Sequence, residues 1–294
     1  SVAKMKKPLN IKQIVLLPFI SIATILAFLP LANAWSALLQ VMGYHGSGVA
    51  MPAFSNVGVY FLALFLMALL PAFGEELLVR GNLFSGLSTR NVWFGLLMSA
   101  LMFSLMHANP VQTVHQFGLG IVLALVVALS GSLWAGVVVH FFNNFISITL
   151  TAYVPQVDEW YVALGYYNWL TGAASVVVGV LLLVVLLWLF FRAGGKKEKS
   201  GIVKNVYTED GFTIVATQNV SSYTDKPKKS NVFKDFARFF KSLFTKQGWK
   251  NVTYRLEERN EVEYIGKNQN LTGVWIALAL VIVYWIYAFV VSII

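Results

Sequence analysis

Seven apolar stretches, each of a length that crosses a bilayer as a helix, leave this chain little choice of fold. They are residues 13–39, 56–74, 92–108, 114–130, 132–153, 168–191 and 271–294. A spanning helix takes about 20 mostly apolar residues, because the hydrocarbon core is about 30 Å thick and each residue rises 1.5 Å. Charged residues make up 12% of the chain, about half the share found in soluble domains. The expected fold is therefore an all-α multi-pass membrane protein with about seven transmembrane helices. The fourth and fifth stretches are parted only by Ser130-Gly131-Ser132, a turn signal, so a tight helical hairpin is expected there. The basic, apolar beginning imitates a signal peptide but has no clear small-residue cleavage site, and it reads as a first span that is kept.

Charge in the loops orients the spans. Lys4, Lys6, Lys7 and Lys12 precede the first, Arg80 and Arg90 lie between the second and third, and Arg192, Lys196, Lys197 and Lys199 follow the sixth. An inside N-terminus brings all three clusters to the cytoplasm and sends Asp158 and Glu159 outside, as positive-inside bias requires. The C-terminus then lies outside. The expected organisation is a membrane core over 1–191, a basic cytoplasmic insert over 192–270 and a last span over 271–294.

The insert holds sixteen of the 22 basic residues and nine of the 13 acidic ones, and so carries most of the net charge of +9. It is expected to be a small α+β unit. Residues 202–219 alternate around Glu209-Asp210-Gly211 as a hairpin would, and 251–265 alternate similarly around Arg259-Asn260. Between them, Phe233, Phe236, Phe240, Leu243 and Phe244 recur at helical spacing over 231–246, with Lys234, Arg238, Lys241 and Lys246 among them. Two readings stand side by side: a helix on the inner membrane face, or one packed on the hairpins. The expected partners are membrane lipids, a peptide or protein substrate and a membrane partner recruited through 192–270. Positive charge beside membrane spans serves anionic lipid, so nucleic acid is not expected. The N-x-Ser/Thr patterns at Asn219, Asn251 and Asn270 fall on the cytoplasmic side of this topology and carry no weight. With no cysteine, a disulfide framework, a thiolate zinc site and a cysteine nucleophile are excluded.

Only four acidic residues lie outside the insert, and two of them, Glu75 and Glu76, adjoin at the end of an apolar run. A charge inside the bilayer is expensive and marks function unless it is paired. Arg80 follows Glu76 by four residues on one helix face and partners it. Glu75 points about 100° away and has no such partner. A structural ion pair explains Glu76 and Arg80 but not Glu75. His107 ends the third stretch, and His140 lies in the fifth, four residues before Asn144. His115 reads as interfacial and His45 as a loop residue. A desolvated carboxylate is a base for water, and a His and an Asn one helical turn apart present two donors to one point. Alternatively, Glu75, His107 and His140 bind zinc with an open water position.

Three segments together resemble one family. Glu75-Glu76-Leu77-Leu78-Val79-Arg80 fits the E-E-x-x-x-R motif of the CPBP intramembrane proteases, also called Abi, which include CAAX proteases and bacteriocin-processing or self-immunity proteins. Phe103 to His107 fits the F-x-x-x-H motif, and His140 to Asn144 fits H-x-x-x-N. The resemblance covers about 55–155 and implies an intramembrane endopeptidase of a bacterial cell membrane, acting on a membrane-associated peptide or protein. It implies that Glu75 and His107 activate water, that His140 and Asn144 form the oxyanion hole, and that Glu76 and Arg80 support them. Asn144 suits an oxyanion donor better than a zinc ligand, so a metal-free mechanism is expected, with zinc as the alternative cofactor. A non-proteolytic scaffold or self-immunity protein of the same fold competes with the enzyme. A transporter, third, lacks the inverted repeat such folds show. Straight helices ending where the apolar runs end put Glu75 near the inner face and His107 near the outer. A kink at Pro71 and Gly74, with 75–88 oblique in the bilayer, is the expected reconciliation.

Overall fold

The computed structural model describes residues 8–46, 51–154, 169–194, 203–207, 214–219, 231–260 and 270–293. The basic residues 4–7 and 196–199, the Asp158-Glu159 loop and the turn at 209–211 lie outside them. The chain forms two compact units, a membrane unit of Ser1–Gly194 with Trp249–Ile294 and a second unit of Gly195–Gly248. The compact insert is thus shorter than 192–270, and residues from Trp249 onward belong with the membrane helices.

The membrane unit is a bundle of α1 (Ile11–Val41), α2 (Val57–Ser88), α3 (Val92–Leu105), α4 (Thr113–Ser130), α5 (Leu133–Tyr153), α6 (Trp169–Ala193), α8 (Lys246–Asn260, from Trp249 onward) and α9 (Thr272–Val291). Among the described residues six of these are long and apolar enough to cross a membrane, and α3 is apolar but shorter. The chain is a multi-pass helical membrane protein.

Asn10 starts α1 with a reciprocal cap: its side chain accepts from Gln13 N at 3.0 Å while Gln13 reaches back. Its amide also donates to the Ala193 carbonyl at 2.7 Å, tying the start of α1 to the end of α6. Small residues bring these two helices close, as in membrane bundles generally. A Cβ on Gly179 would lie 2.7 Å from Cα of Ala27, and Ser175 Oγ donates to the Leu26 carbonyl at 3.0 Å. The expected α4–α5 hairpin is present. Gly131 takes φ 67°, a left-handed cap that glycine adopts without a Cβ clash, and Ser130 Oγ accepts from Ser132 N at 3.1 Å. The main core gathers α1, α4, α5 and α6 around Leu17, Ile20, Leu119, Leu123, Val139 and Phe190.

The second helix corrects the expected boundary. It does not end or break at residue 74. Pro71 and Gly74 lie within an α-helical stretch, Leu70–Glu76, flanked by π-helical stretches Leu64–Leu69 and Leu77–Phe84, and the helix runs on to Ser88. The turn at Thr89–Asn91 then starts α3, where Asn91 caps the N–H groups of Trp93 and Phe94. Glu75 lies fourteen residues before Thr89, and His107 lies sixteen after Asn91, two past the end of α3, so each is roughly 20 Å from the turn along the chain. Equal arms of a hairpin bring the two to one depth, and no oblique segment is needed. At about 21 Å, α3 is shorter than the hydrocarbon core of a bilayer is thick. Ala108 at φ 47° reverses the chain, Ser104 Oγ donates to the Thr113 carbonyl at 2.7 Å, and Trp35 Nε1 donates to the Pro110 carbonyl at 2.7 Å.

The second expected hairpin is also corrected: residues up to Asn260 form α8, and 261–265 lie outside the described residues. Val252 and Leu256 fit helical as well as alternating spacing. Val252 and Leu256 pack on the core of Phe84, Val92 and Leu96, and Trp93 Nε1 donates to Thr253 Oγ1 at 2.8 Å. Burial against α3 decides between the two periods.

In the second unit, β1 (Val203–Tyr207) pairs antiparallel with β2 (Ile214–Asn219), Val203 opposite Asn219, with an irregularity between Val206 and Tyr207. The helix α7 (Val232–Ser242) follows, capped by Asn231, whose side chain accepts from Phe233 N.

Close approach at Gly179 yields a test. Gly179→Leu forces α6 from α1, and overpacking of this kind costs about 1–3 kcal/mol. Thermal unfolding in detergent is expected to fall by several degrees for Gly179→Leu and to stay unchanged for Gly273→Leu, where a Cβ meets nothing within 4 Å.

Candidate active site

Glu75 and Glu76 adjoin on α2 and serve different neighbours. Glu76 turns inward and is fully buried with Arg80, whose Nη1 donates to Glu76 Oε1 at 2.6 Å. His140 Nδ1 approaches the same oxygen at 3.2 Å. An ionised carboxylate only accepts, so the hydrogen of that contact sits on Nδ1 of His140. Glu76 Oε2 lies against Gly136, where a Cβ would sit 2.5 Å away. A residue with a side chain at 136 therefore conflicts with the carboxylate. Arg80 Nη2 donates to the Gly120 carbonyl at 3.1 Å, and the guanidinium lies 4.3 Å over the ring of Phe103. Arg80 is thus an internal cation, and it leaves the set of loop charges that orient the protein.

Glu75 faces His107. Its Oε2 is 3.8 Å from His107 Nε2, and the side chains keep 26% and 20% exposure. On its other side, His107 Nδ1 is 2.7 Å from the Phe103 carbonyl. A carbonyl only accepts, so Nδ1 carries the hydrogen and neutral His107 presents a bare Nε2 to Glu75. Two acceptors then oppose each other across a gap too wide for a direct hydrogen bond and suited to a bridging donor.

Phe103 joins the two halves. Its ring makes edge contacts with His107 (centroids 5.0 Å apart) and His140 (5.5 Å), besides carrying Arg80. The site residues come from four helices, and Phe103 is the side chain that touches the neighbours of both carboxylates.

Asn144 is placed by the backbone of α2. Its Nδ2 donates to the Met67 carbonyl at 3.1 Å. The contact leaves Asn144 one amide hydrogen. Asn143 on α5 is buried, and His115 lies in the first turn of α4 with its Nδ1 buried. Glu75 faces His107, Glu76 meets Arg80 and His140, Phe103 touches His107, His140 and Arg80, and Asn144 follows His140 by one turn of α5.

Sequence reasoning treated Phe103 as a motif marker and missed Gly136, Asn143 and His115. Among the described residues no group of three or more His, Asp or Glu side chains is placed to hold a metal ion.

Residues 57–146 match the family model described as Rce1-like, type II CAAX prenyl endopeptidase. The segment is similar to that family. It holds all three motifs and covers 90 of the 294 residues, and the family is one of CAAX-protease-type enzymes. No curated protein and no solved structure matches the chain.

Removing one partner of a buried ion pair costs about 3–5 kcal/mol, because the other charge stays buried. Arg80→Leu is expected to destabilise the protein by about that much in detergent unfolding, and Arg80→Leu combined with Glu76→Gln is expected to recover part of the loss.

Proposed function

We propose that the protein is an intramembrane endopeptidase that hydrolyses a peptide bond of a membrane-attached peptide or protein without a metal. The single observation that carries this reading is the opposition of Glu75 Oε2 and His107 Nε2, two acceptors 3.8 Å apart, the carboxylate oxygen buried without a hydrogen-bond partner. A water between them donates one hydrogen to each.

Glu75 takes a proton from this water as the oxygen attacks the scissile carbonyl carbon, and the carbonyl electron pair moves onto oxygen. His140 and Asn144 receive that oxyanion. Glu76 holds the Nδ1 side of His140, which orients the other ring nitrogen for this contact. Asn144 contributes the amide hydrogen that Met67 does not use. Collapse of the intermediate breaks the C–N bond, and the protonated Glu75 returns its proton to the leaving amine. Arg80 balances the charge of Glu76 and holds it in place, and so acts through His140.

The depth of the site supports a membrane-attached substrate. Glu75 and His107 lie roughly 20 Å along the chain from the Thr89–Asn91 turn, near mid-bilayer. A peptide reaching them is held in the membrane by a lipid or an apolar segment. With Lys12, Arg90 and Arg192 on one side, positive-inside bias puts the N-terminus and the insert in the cytoplasm of a bacterial cell.

Glu75→Gln and His107→Ala are each expected to lower cleavage of a lipidated reporter peptide by at least about 100-fold in proteoliposomes while leaving thermal unfolding in place. If both variants keep full activity and the full cellular phenotype, the chain is a scaffold rather than a protease. Treatment with a strong zinc chelator is expected to leave the rate unchanged, and metal-dependent restoration of a lost rate would overturn the metal-free mechanism.

A further inference from the structure

The helix α7 has two unlike faces and no buried residue. Phe233, Phe236 and Phe240 recur at three- and four-residue spacing, and Phe244 continues the row past the helix end. The rings touch in sequence: Phe236 to Phe240 at 6.0 Å and Phe240 to Phe244 at 5.4 Å between centroids. Phe233 is 84% exposed and Phe244 78%. Lys234, Arg238 and Lys241 lie on the other side of the helix, beginning about 80° from the aromatic row. Asp235 is the one acidic residue of α7, and Arg238 Nη2 meets it at 3.0 Å. The uncompensated charge is therefore positive.

We propose that α7 is a lipid-docking helix that lies in the headgroup region of an anionic bilayer, with Phe233, Phe240 and Phe244 toward the acyl chains and Lys234 and Lys241 on phosphate oxygens. Charge complementarity selects the occupant. A wide aromatic face flanked by lysines matches an anionic lipid surface, whose attraction adds to apolar burial. Connectivity supplies the proximity. The chain enters the insert from the membrane helix α6 and leaves it toward the membrane helix α9. The flanking chain is short enough to keep α7 at a high local concentration over the bilayer, so a modest intrinsic affinity suffices. This inference is independent of the protease reading, since it draws on no residue of the candidate active site.

The chain has no cysteine, so Ala237→Cys gives one labelling site, at the edge of the aromatic face. The full-length protein carrying an environment-sensitive fluorophore there is reconstituted into phosphatidylcholine vesicles, with and without about a third phosphatidylglycerol. Nitroxide-bearing lipid is the quencher. Quenching in anionic vesicles at least twofold above that in neutral ones supports the proposal, as does its fall in high salt or on adding Lys234→Glu with Lys241→Glu. Equal, weak quenching in both vesicles overturns it. So does a label shielded from aqueous iodide yet untouched by lipid nitroxide, which marks a protein partner. Strong quenching indifferent to lipid charge and to salt overturns the headgroup contacts.

Discussion

A buried ion pair organises this protein. Glu76 and Arg80 are one helical turn apart with no exposure to solvent, and burial of two charges is tolerated only where every strong partner is local. Each partner here is a structural element in its own right. Glu76 holds the imidazole of α5, Arg80 holds a carbonyl of α4, and the guanidinium rests on the Phe103 ring of α3. Four helices thus meet at one pair of side chains. Hydrophobic force distinguishes little between a neighbouring helix and a lipid tail, so polar contacts and close packing fix which helices adjoin. Glu75, the next residue, inherits a fixed position from this knot while remaining partly accessible.

The spans were legible in the sequence because their signal is length and hydropathy, which act before any tertiary contact. Leu133–Tyr153 and Trp169–Ala193 fall within one or two residues of the apolar runs. The end of α2 was not legible, for a physical reason. Two carboxylates and an arginine resemble the water-exposed end of a helix, and only the fold reveals that the Glu76–Arg80 pair, readable from its spacing, is fully buried. The same confusion counted Arg80 among the orienting loop charges. In 251–260, a short run whose apolar positions satisfy both two-residue and four-residue spacing took its form from packing on Phe84, Val92 and Leu96.

The candidate site divides similarly. Its six residues were found by motif and by the rarity of polar groups in apolar surroundings. Their division into pairs was not, since spacing fixes which face a residue occupies but not what stands opposite. Glu76 rather than Glu75 meets His140, and Asn144 turns first to a backbone carbonyl on a helix it does not belong to. His115 has no motif and reads as an ordinary helix opening until α4 is packed against α5.

The equal arms of the α2–α3 hairpin carry one more consequence. Membranes differ in thickness, and helices answer a mismatch by tilting or shifting along the bilayer normal. Were Glu75 and His107 on helices joined at opposite faces, each adjustment would slide one past the other. Here both positions are counted from the same turn at Thr89–Asn91, so a shift of the hairpin moves them together. Their separation is insulated from the thickness of the bilayer, and only their common depth responds to it.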